Sequence, residues 1–355
     1  MFFRCCSSKK RNKSKKKVNF SNKIKIIYNY NNKMKIEAEN PIEFIKKKRP
    51  NLKENTIKQY LTNLNKLKSI FESENFSFLS KPNEVKEKIK HLHDTSQRNH
   101  YNAIIVLLSA INKDDELTKL LNEYGKMRDD LNDKYTEDQK SGKISDKQAP
   151  NFVDISEINK MIETMGQEIK SLNLKKKKDN LTSKEKALLQ VYLLFNIYTR
   201  IPLRNDVAGM ESITKRQYNK LSEDEKKSKN YLVIEKTNLF FVLNKYKTAK
   251  KYEELKIDIP PDLKKLLRYY LRVNGMGILF KSSTGRPLSR NALSQLLIKT
   301  SKKYMNKSIS TTMLRKIYLS SKYGDMKKEL EKDNKIMGHS KATALNTYVK
   351  EEKED

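Results

Sequence analysis

The chain has 355 residues, long enough for two domains of ordinary size that each bury a core. Lysine and arginine number 76 against 43 acidic residues, a formal charge of +33, so the expected partner is an acidic polymer, nucleic acid foremost. Adjacent Cys5 and Cys6 cannot staple a fold, no apolar run reaches membrane length and Met1-Phe2-Phe3-Arg4 lacks a signal peptide's apolar stretch, which sets aside the disulfide-built secreted and membrane classes and leaves a reduced, intracellular protein.

Residues 1–38 read as a basic, flexible arm. Lys9, Lys10, Arg11, Lys13, Lys15, Lys16 and Lys17 crowd together with almost nothing to bury, a run that repels itself until it meets an anion. It is open as a DNA-binding arm, in which Lys9, Lys10 and Arg11 touch phosphates, as an import signal or as a solvated tail. Residues 39–134 read as a small helical bundle. Tyr60, Leu64, Leu67 and Phe71 recur at spacings of four, three and four, and Val85 and Ile89 mark a shorter helix. Thr95-Ser96, suited to capping, precede a second stripe of Tyr101, Ile104, Ile105, Leu108 and Ile111. Residues 135–150 are polar, contain Gly142 and Pro150 and show no apolar period, so they read as a linker.

In the second domain, 151–355, Asp154 or Ser156 is placed to cap a helix through Ile158, Met161 and Ile162. A basic interruption at 175–180 precedes a strongly apolar helix with Leu188, Leu189, Tyr192, Leu193 and Phe195. Three β-like runs follow at 231–234, 239–243 and 255–259. Pro260-Pro261 ends the third and opens a helix through Leu263, Leu266, Leu267 and Tyr270. Ser289 is placed to cap another through Leu293, Leu296, Leu297 and Tyr304, and the remainder reads as helical up to a short tail. The class is therefore mainly α with a small antiparallel β-sheet, an α+β second domain.

The chemistry sits in residues that are each ordinary alone. Arg204, in Leu203-Arg204-Asn205-Asp206, follows a buried helix beside a carboxylate that is equally suited to a structural ion pair. Lys247 lies between the second and third β-runs, where a lysine on a hairpin reaches outward as a proton donor to a departing alkoxide; Lys245, Lys250 and Lys251 compete for that role and are candidate DNA contacts. Arg315 lies in the first turns of a helix, where the free N–H groups already favour phosphate and a guanidinium adds a planar fork. His339 follows Gly338 at a helix end, and Tyr348 comes nine positions later. A phenol titrates near pH ~10, so its attack on phosphorus needs a base or a strongly positive pocket.

That ordered set resembles the tyrosine recombinase, or phage integrase, family, whose signature is Arg, Lys, His-x-x-Arg, Gly-His and Tyr. Arg204 matches the first arginine, Lys247 in Lys-Thr the hairpin lysine, Arg315 in Leu-Arg-Lys the second arginine, and His339 and Tyr348 the Gly-His-Ser to Tyr spacing. The resemblance covers roughly residues 150–355 by motif and 40–133 by helical layout, which marks 39–134 as a core-binding (SAM-like) domain and 151–355 as the catalytic domain. It implies a C-shaped clamp around double-stranded DNA, closed by the two domains. It implies that Tyr348 attacks the scissile phosphate to give a 3′-phosphotyrosyl bond while Lys247 protonates the 5′-oxygen, and that strands are exchanged through a Holliday junction without metal, ATP or other cofactor. The implied assembly is a homotetramer on DNA, with a monomer or dimer in solution. His91-x-His93, with no cysteine near it, does not read as a zinc site.

One position departs from the family. Thr312 stands where the histidine of His-x-x-Arg is usual, and a threonine cannot accept the phenol's proton, so activity is expected to be retained but slow. Two other readings stay open: relaxation of DNA by a type IB topoisomerase-like reaction, and a DNA-binding relative with weakened catalysis. The AT-rich composition, heavy in Lys, Asn and Ile, fits a virus, a mobile element or a bacterium.

Overall fold

The computed structural model describes residues 24–28, 34–38, 41–111, 115–174, 176–177 and 180–348. Lys9, Lys10, Arg11, the Cys5-Cys6 pair and the tail after Tyr348 lie outside them. The chain divides into two compact units, Met1–Lys143 and Ile144–Asp355.

The first unit opens with an antiparallel pair, β1 (Ile24–Tyr28) and β2 (Met34–Ala38), in register Ile24↔Ala38 to Tyr28↔Met34. This corrects the expectation of an irregular arm up to residue 38. Ile24, Ile26, Ile27 and Tyr28 of β1 favour an extended chain, a local preference that the charge-based reading passed over, whereas β2 has only Ile36 of that kind. Five helices follow: α1 (Pro41–Lys48), α2 (Glu54–Ile70), α3 (Pro82–Ile89), α4 (Asp94–Leu108) and α5 (Asp115–Ser141). The expected stripes form the core, with Leu64 and Leu67 of α2, Val85 and Ile89 of α3 and Tyr101, Ile104 and Leu108 of α4 all buried. Tyr124 of α5 is buried too and donates from its hydroxyl to the Leu79 carbonyl (2.9 Å). The cap of α4 is His93, whose Nδ1 accepts from the Thr95 amide (3.2 Å), rather than the Thr-Ser pair. Helix α5 continues to Ser141, into the segment read as linker. Its later turns are solvated and carry no apolar stripe, so periodicity alone does not see them.

In the second unit, α6 (Ile155–Ser171) begins at Asp154, with Asp154 and Glu157 forming a reciprocal capping box. Helix α7 (Ser183–Tyr198) has the same device in Thr182 and Glu185, and Lys177 together with the Thr182 amide holds the Glu185 carboxyl down at about 2. A single sheet follows, in the order β6-β5-β4-β3-β7. Its strands are β3 (Glu211–Thr214), β4 (Asn230–Ile234), β5 (Leu239–Leu243), β6 (Leu255–Asp258) and β7 (Gly277–Ile278). Short helices α8 (Lys215–Lys220), α9 (Glu223–Ser228) and α10 (Ala249–Tyr252) occupy the connections. The sheet is mostly antiparallel, with β3 and β4 its one parallel pair. The three β-runs read from sequence are β4, β5 and β6. Strands β3 and β7 were not expected, because Glu211, Ser212 and Thr214 are polar and β7 has only two residues.

Side chains alternate across β4 and β5 as a pleated strand requires. Leu232, Phe241 and Leu243 join the main core with Leu189, Leu193, Phe195 and Tyr198 of α7, whereas Val233, Phe240 and Val242 pack with Tyr218 on the other face. Helices α11 (Pro261–Asn274) and α12 (Arg290–Met305) close the main core, α12 capped by Ser289 as expected. The last long helix, α13 (Thr311–Met337), is capped by Ser310 and buries Met313, Leu314 and Ile317. Beyond Ile317 it leaves the packed body, and Leu319, Tyr323, Met326 and Ile336 are exposed. Twenty-seven residues make a rod about 40 Å long. Among the described residues no helix is long and apolar enough to cross a membrane.

Candidate active site

The apolar helix α7 ends at Tyr198, and buried Leu203 and Val207 anchor the chain that follows. Between these two anchors Arg204 is exposed, directly before a 3₁₀ turn at Asn205–Val207. The Tyr198 hydroxyl donates to the Arg204 carbonyl (2.9 Å), which fixes the turn from below. Burial pushes the Tyr198 phenol far above its usual range, so it stays a donor.

Arg315 reaches the same place from α13, its Nε donating to the Pro202 carbonyl (3.1 Å). Arg204 and Arg315 also share a neighbour. The carboxyl of Asp206 is buried, which pushes its pKa up, while the guanidiniums of Arg290, Arg204 and Arg315 pull it back. Three cations around one buried carboxylate leave a net positive patch, suited to a phosphate.

Asp206 does not pair with the adjacent arginine, as the sequence suggested. Its direct partner is Arg290, the first residue of α12, whose Nη2 lies 2.9 Å from Asp206 Oδ1. The same Nη2 donates to the Lys245 carbonyl (3.3 Å), and Asn205 Nδ2 donates to the Arg290 carbonyl (3.0 Å). Buried Asn230, at the start of β4, ties the parts together. Its Nδ2 donates to the carbonyls of Asp206 (2.8 Å) and Lys245 (3.2 Å), and its Oδ1 accepts from the amides of Asn244 (2.9 Å) and Lys245 (2.7 Å). The arginine turn is thus bolted to the loop that carries Lys245 and Lys247. Both lysines are exposed there, as are Lys250 and Lys251 of α10. Thr312 is exposed in the first turn of α13, one turn before Arg315.

His339 and Tyr348 form a separate group. Gly338 ends α13 at φ +69°, a left-handed conformation that suits glycine, and so turns the chain out of the helix. The His339 ring then stacks on Tyr348 with centroids 5.0 Å apart and planes 22° from parallel. Tyr348 is 55% exposed. From Arg315 to Met337 the helix rises about 33 Å, so this conformation does not bring the imidazole and phenol to the arginines. Of the residues singled out by sequence, the structure therefore gathers Arg204 and Arg315, with the lysine loop tied to the Arg204 turn, and separately pairs His339 with Tyr348.

Asp206 was read only as a companion of Arg204, and Arg290 and Asn230 were missed. Arg290 follows a capping serine and Asn230 opens a strand; neither lies in a motif, and only the folded chain makes them neighbours. Among the described residues no cluster of His, Cys, Asp and Glu could hold a metal ion.

No protein-family model matches the chain, and no curated protein matches it in sequence. Among solved structures it is similar to the crystal structure of XerA recombinase, at 13% identity and a TM-score of 0.32, over 88% of this chain and 92% of that one. It is also similar to the XerH site-specific recombinase bound to difH substrate in a pre-cleavage complex, at 13% identity and a TM-score of 0.33, over 86% and 90% of the two chains.

Proposed function

We propose that the chain is a site-specific DNA recombinase or integrase that cuts and rejoins strands through a covalent bond to Tyr348. The observation that carries this reading is the meeting of Arg204 and Arg315 at one buried carboxylate, with Arg315 bonded to a carbonyl 113 positions away. Convergence of two guanidiniums on a net positive patch is what a scissile phosphate needs.

In the reaction the Tyr348 oxygen, having lost its proton, attacks phosphorus. A bond from phosphorus to the phenolic oxygen forms as the bond to the 5′-oxygen breaks. That oxygen leaves with a proton from Lys247, or from a neighbouring loop lysine, and becomes a 5′-hydroxyl. His339 hydrogen-bonds a phosphate oxygen. A 5′-hydroxyl from another duplex then attacks the phosphotyrosine, giving its proton back to the loop lysine. The bond from phosphorus to the phenolic oxygen breaks, Tyr348 leaves and the phosphodiester is restored, so the step asks for neither ATP nor a metal. The partner is double-stranded DNA, engaged by four copies in the synapse, and the charge of +33 supplies the sequence-independent part of the affinity.

The reading is tested with a random-sequence pool of duplexes carrying 5′-bridging phosphorothiolates, whose thiolate leaving group needs no acid and returns poorly. The unmodified chain should form a denaturant-resistant protein–DNA adduct, and Tyr348→Phe should form none. An adduct that survives in Tyr348→Phe, or none with the unmodified chain on any duplex, overturns the assignment. Relaxation of supercoiled plasmid by the dilute chain, without recombinant product, would instead favour the topoisomerase-like reaction.

A further inference from the structure

The cleavage reading leaves Arg290 without a task, yet like Asn230 its side chain links the Arg204 turn to the lysine loop, and it does so as a cation. Its Nη2 touches Asp206 Oδ1 (2.9 Å) and the Lys245 carbonyl (3.3 Å), and its own carbonyl receives Asn205 (3.0 Å). One guanidinium on α12 therefore spans the turn after α7 and the loop after β5. Its side chain is 56% exposed, whereas its carboxylate partner is 7% exposed, so the pair sits at the floor of an open surface.

We propose that Arg290 is a positioning residue for phosphodiester cleavage: held on Asp206 and the Lys245 carbonyl, it keeps the Arg204 turn and the Lys245–Lys247 loop at the spacing one phosphate requires. The inference rests on the cleavage reading above and adds to it a residue that belongs to none of the motif positions. The physical case is one of compensation. A buried carboxylate stripped of its direct ion-pair partner either takes up a proton or recruits another cation. Besides Arg290, the cations facing Asp206 are Arg204 from its own turn and Arg315 from α13, and the charge of Asp206 in turn raises the phenols of Tyr198 on α7 and Tyr246 in the loop after β5. Without Arg290 the carboxylate draws Arg204 and Arg315 inward, away from the phosphate, and the lysine loop loses one of its two ties, leaving Asn230 alone.

The phosphorothiolate pool and an all-oxygen nicked duplex pool are used together with Arg290→Ala, Arg290→Lys, Asp206→Asn and the double variant Arg290→Ala/Asp206→Asn. Arg290→Ala should slow adduct formation about 10-fold or more on the all-oxygen pool. The loss should be smaller on the phosphorothiolate pool, where the lysine's proton is not needed, and binding of uncleaved duplex should change less than about threefold. Arg290→Lys should restore part of the rate. Because the arginine acts through the carboxylate, the double variant should be no slower than Arg290→Ala alone, which also shows that it folds. Equal losses on both pools, full additivity in the double variant or a rate within twofold of the unmodified chain would each overturn the role. If the unmodified chain itself forms no adduct, it is the cleavage reading that fails, a result distinct from any of these.

Discussion

At the scale of single residues, Thr312 marks where this chain parts from the pattern it resembles. It lies in the first turn of α13, three positions before Arg315, and therefore on the same face of the helix. A hydroxyl there donates to a phosphate oxygen but cannot take the phenol's proton. An imidazole in its place, kept neutral by the positive end of the helix and the nearby guanidiniums, can. General-base assistance typically contributes about 10²-fold or more. Thr312→His should therefore raise the rate of adduct formation at neutral pH, by about 10-fold at least, measured on the phosphorothiolate pool; a rate unchanged or lowered would show that the proton leaves by another route. What the sequence made legible at this scale was the set of motif positions. Arg204 and Arg315 were picked out by their order in the motif, and both act on the Asp206 carboxyl in the folded chain. Asp206, Arg290 and Asn230 were not assigned their roles, since the bonds joining them cross from α7 to α12 and β4, and no local pattern encodes such a crossing.

At the scale of elements, α13 decides how the site is completed. Periodicity found the buried start of the helix and glycine preference found its end at Gly338, but nothing in the pattern says that the residues between form one unbroken rod. Gly324 stands near the middle, where an added Cβ would meet nothing within 4 Å, and Ser320 and Ser321 lie one turn before it. Glycine in a helix interior costs about 1 kcal/mol relative to alanine, and Gly/Ser pairs are habitual sites of kinking. The lengths fit a fold-back: Arg315 to Gly324 spans about 14 Å and Gly324 to Met337 about 20 Å, so a reversal at Gly324 returns His339 and Tyr348 nearly to the level of Arg315. Such a bend would also turn Leu319 and Tyr323 toward Met326, removing exposed apolar surface. Gly324→Ala should accordingly stabilise the chain against thermal unfolding by about 1 kcal/mol while slowing adduct formation. A gain in stability with an unaltered rate would show that α13 works as a straight rod.

At the scale of the whole molecule, that alternative has its own test. A straight α13 serves cleavage only by delivering Tyr348 to the arginines of another copy, so an equal mixture of Tyr348→Phe and Arg315→Ala chains would regain activity. If the helix bends within its own chain, the mixture should form no adduct above the level of either variant alone, as gel analysis of the phosphorothiolate pool would show. The fold class was legible without coordinates: a mainly helical chain with one small, mostly antiparallel sheet in its second half. What escaped were features without an apolar signature. The solvated end of α5, the polar strand β3 and the two-residue β7 owe their form to neighbours or to helix continuation rather than to a buried face of their own.

The stacking of His339 on Tyr348 carries one more consequence. Imidazole and phenol are stored as a pair, and stored at a distance from the cations that would make the phenol dangerous to a nucleic acid. On the recombinase reading, a lone copy in this state would rest on DNA through its charge without cutting it, and cutting would wait until both rings reach the phosphate together.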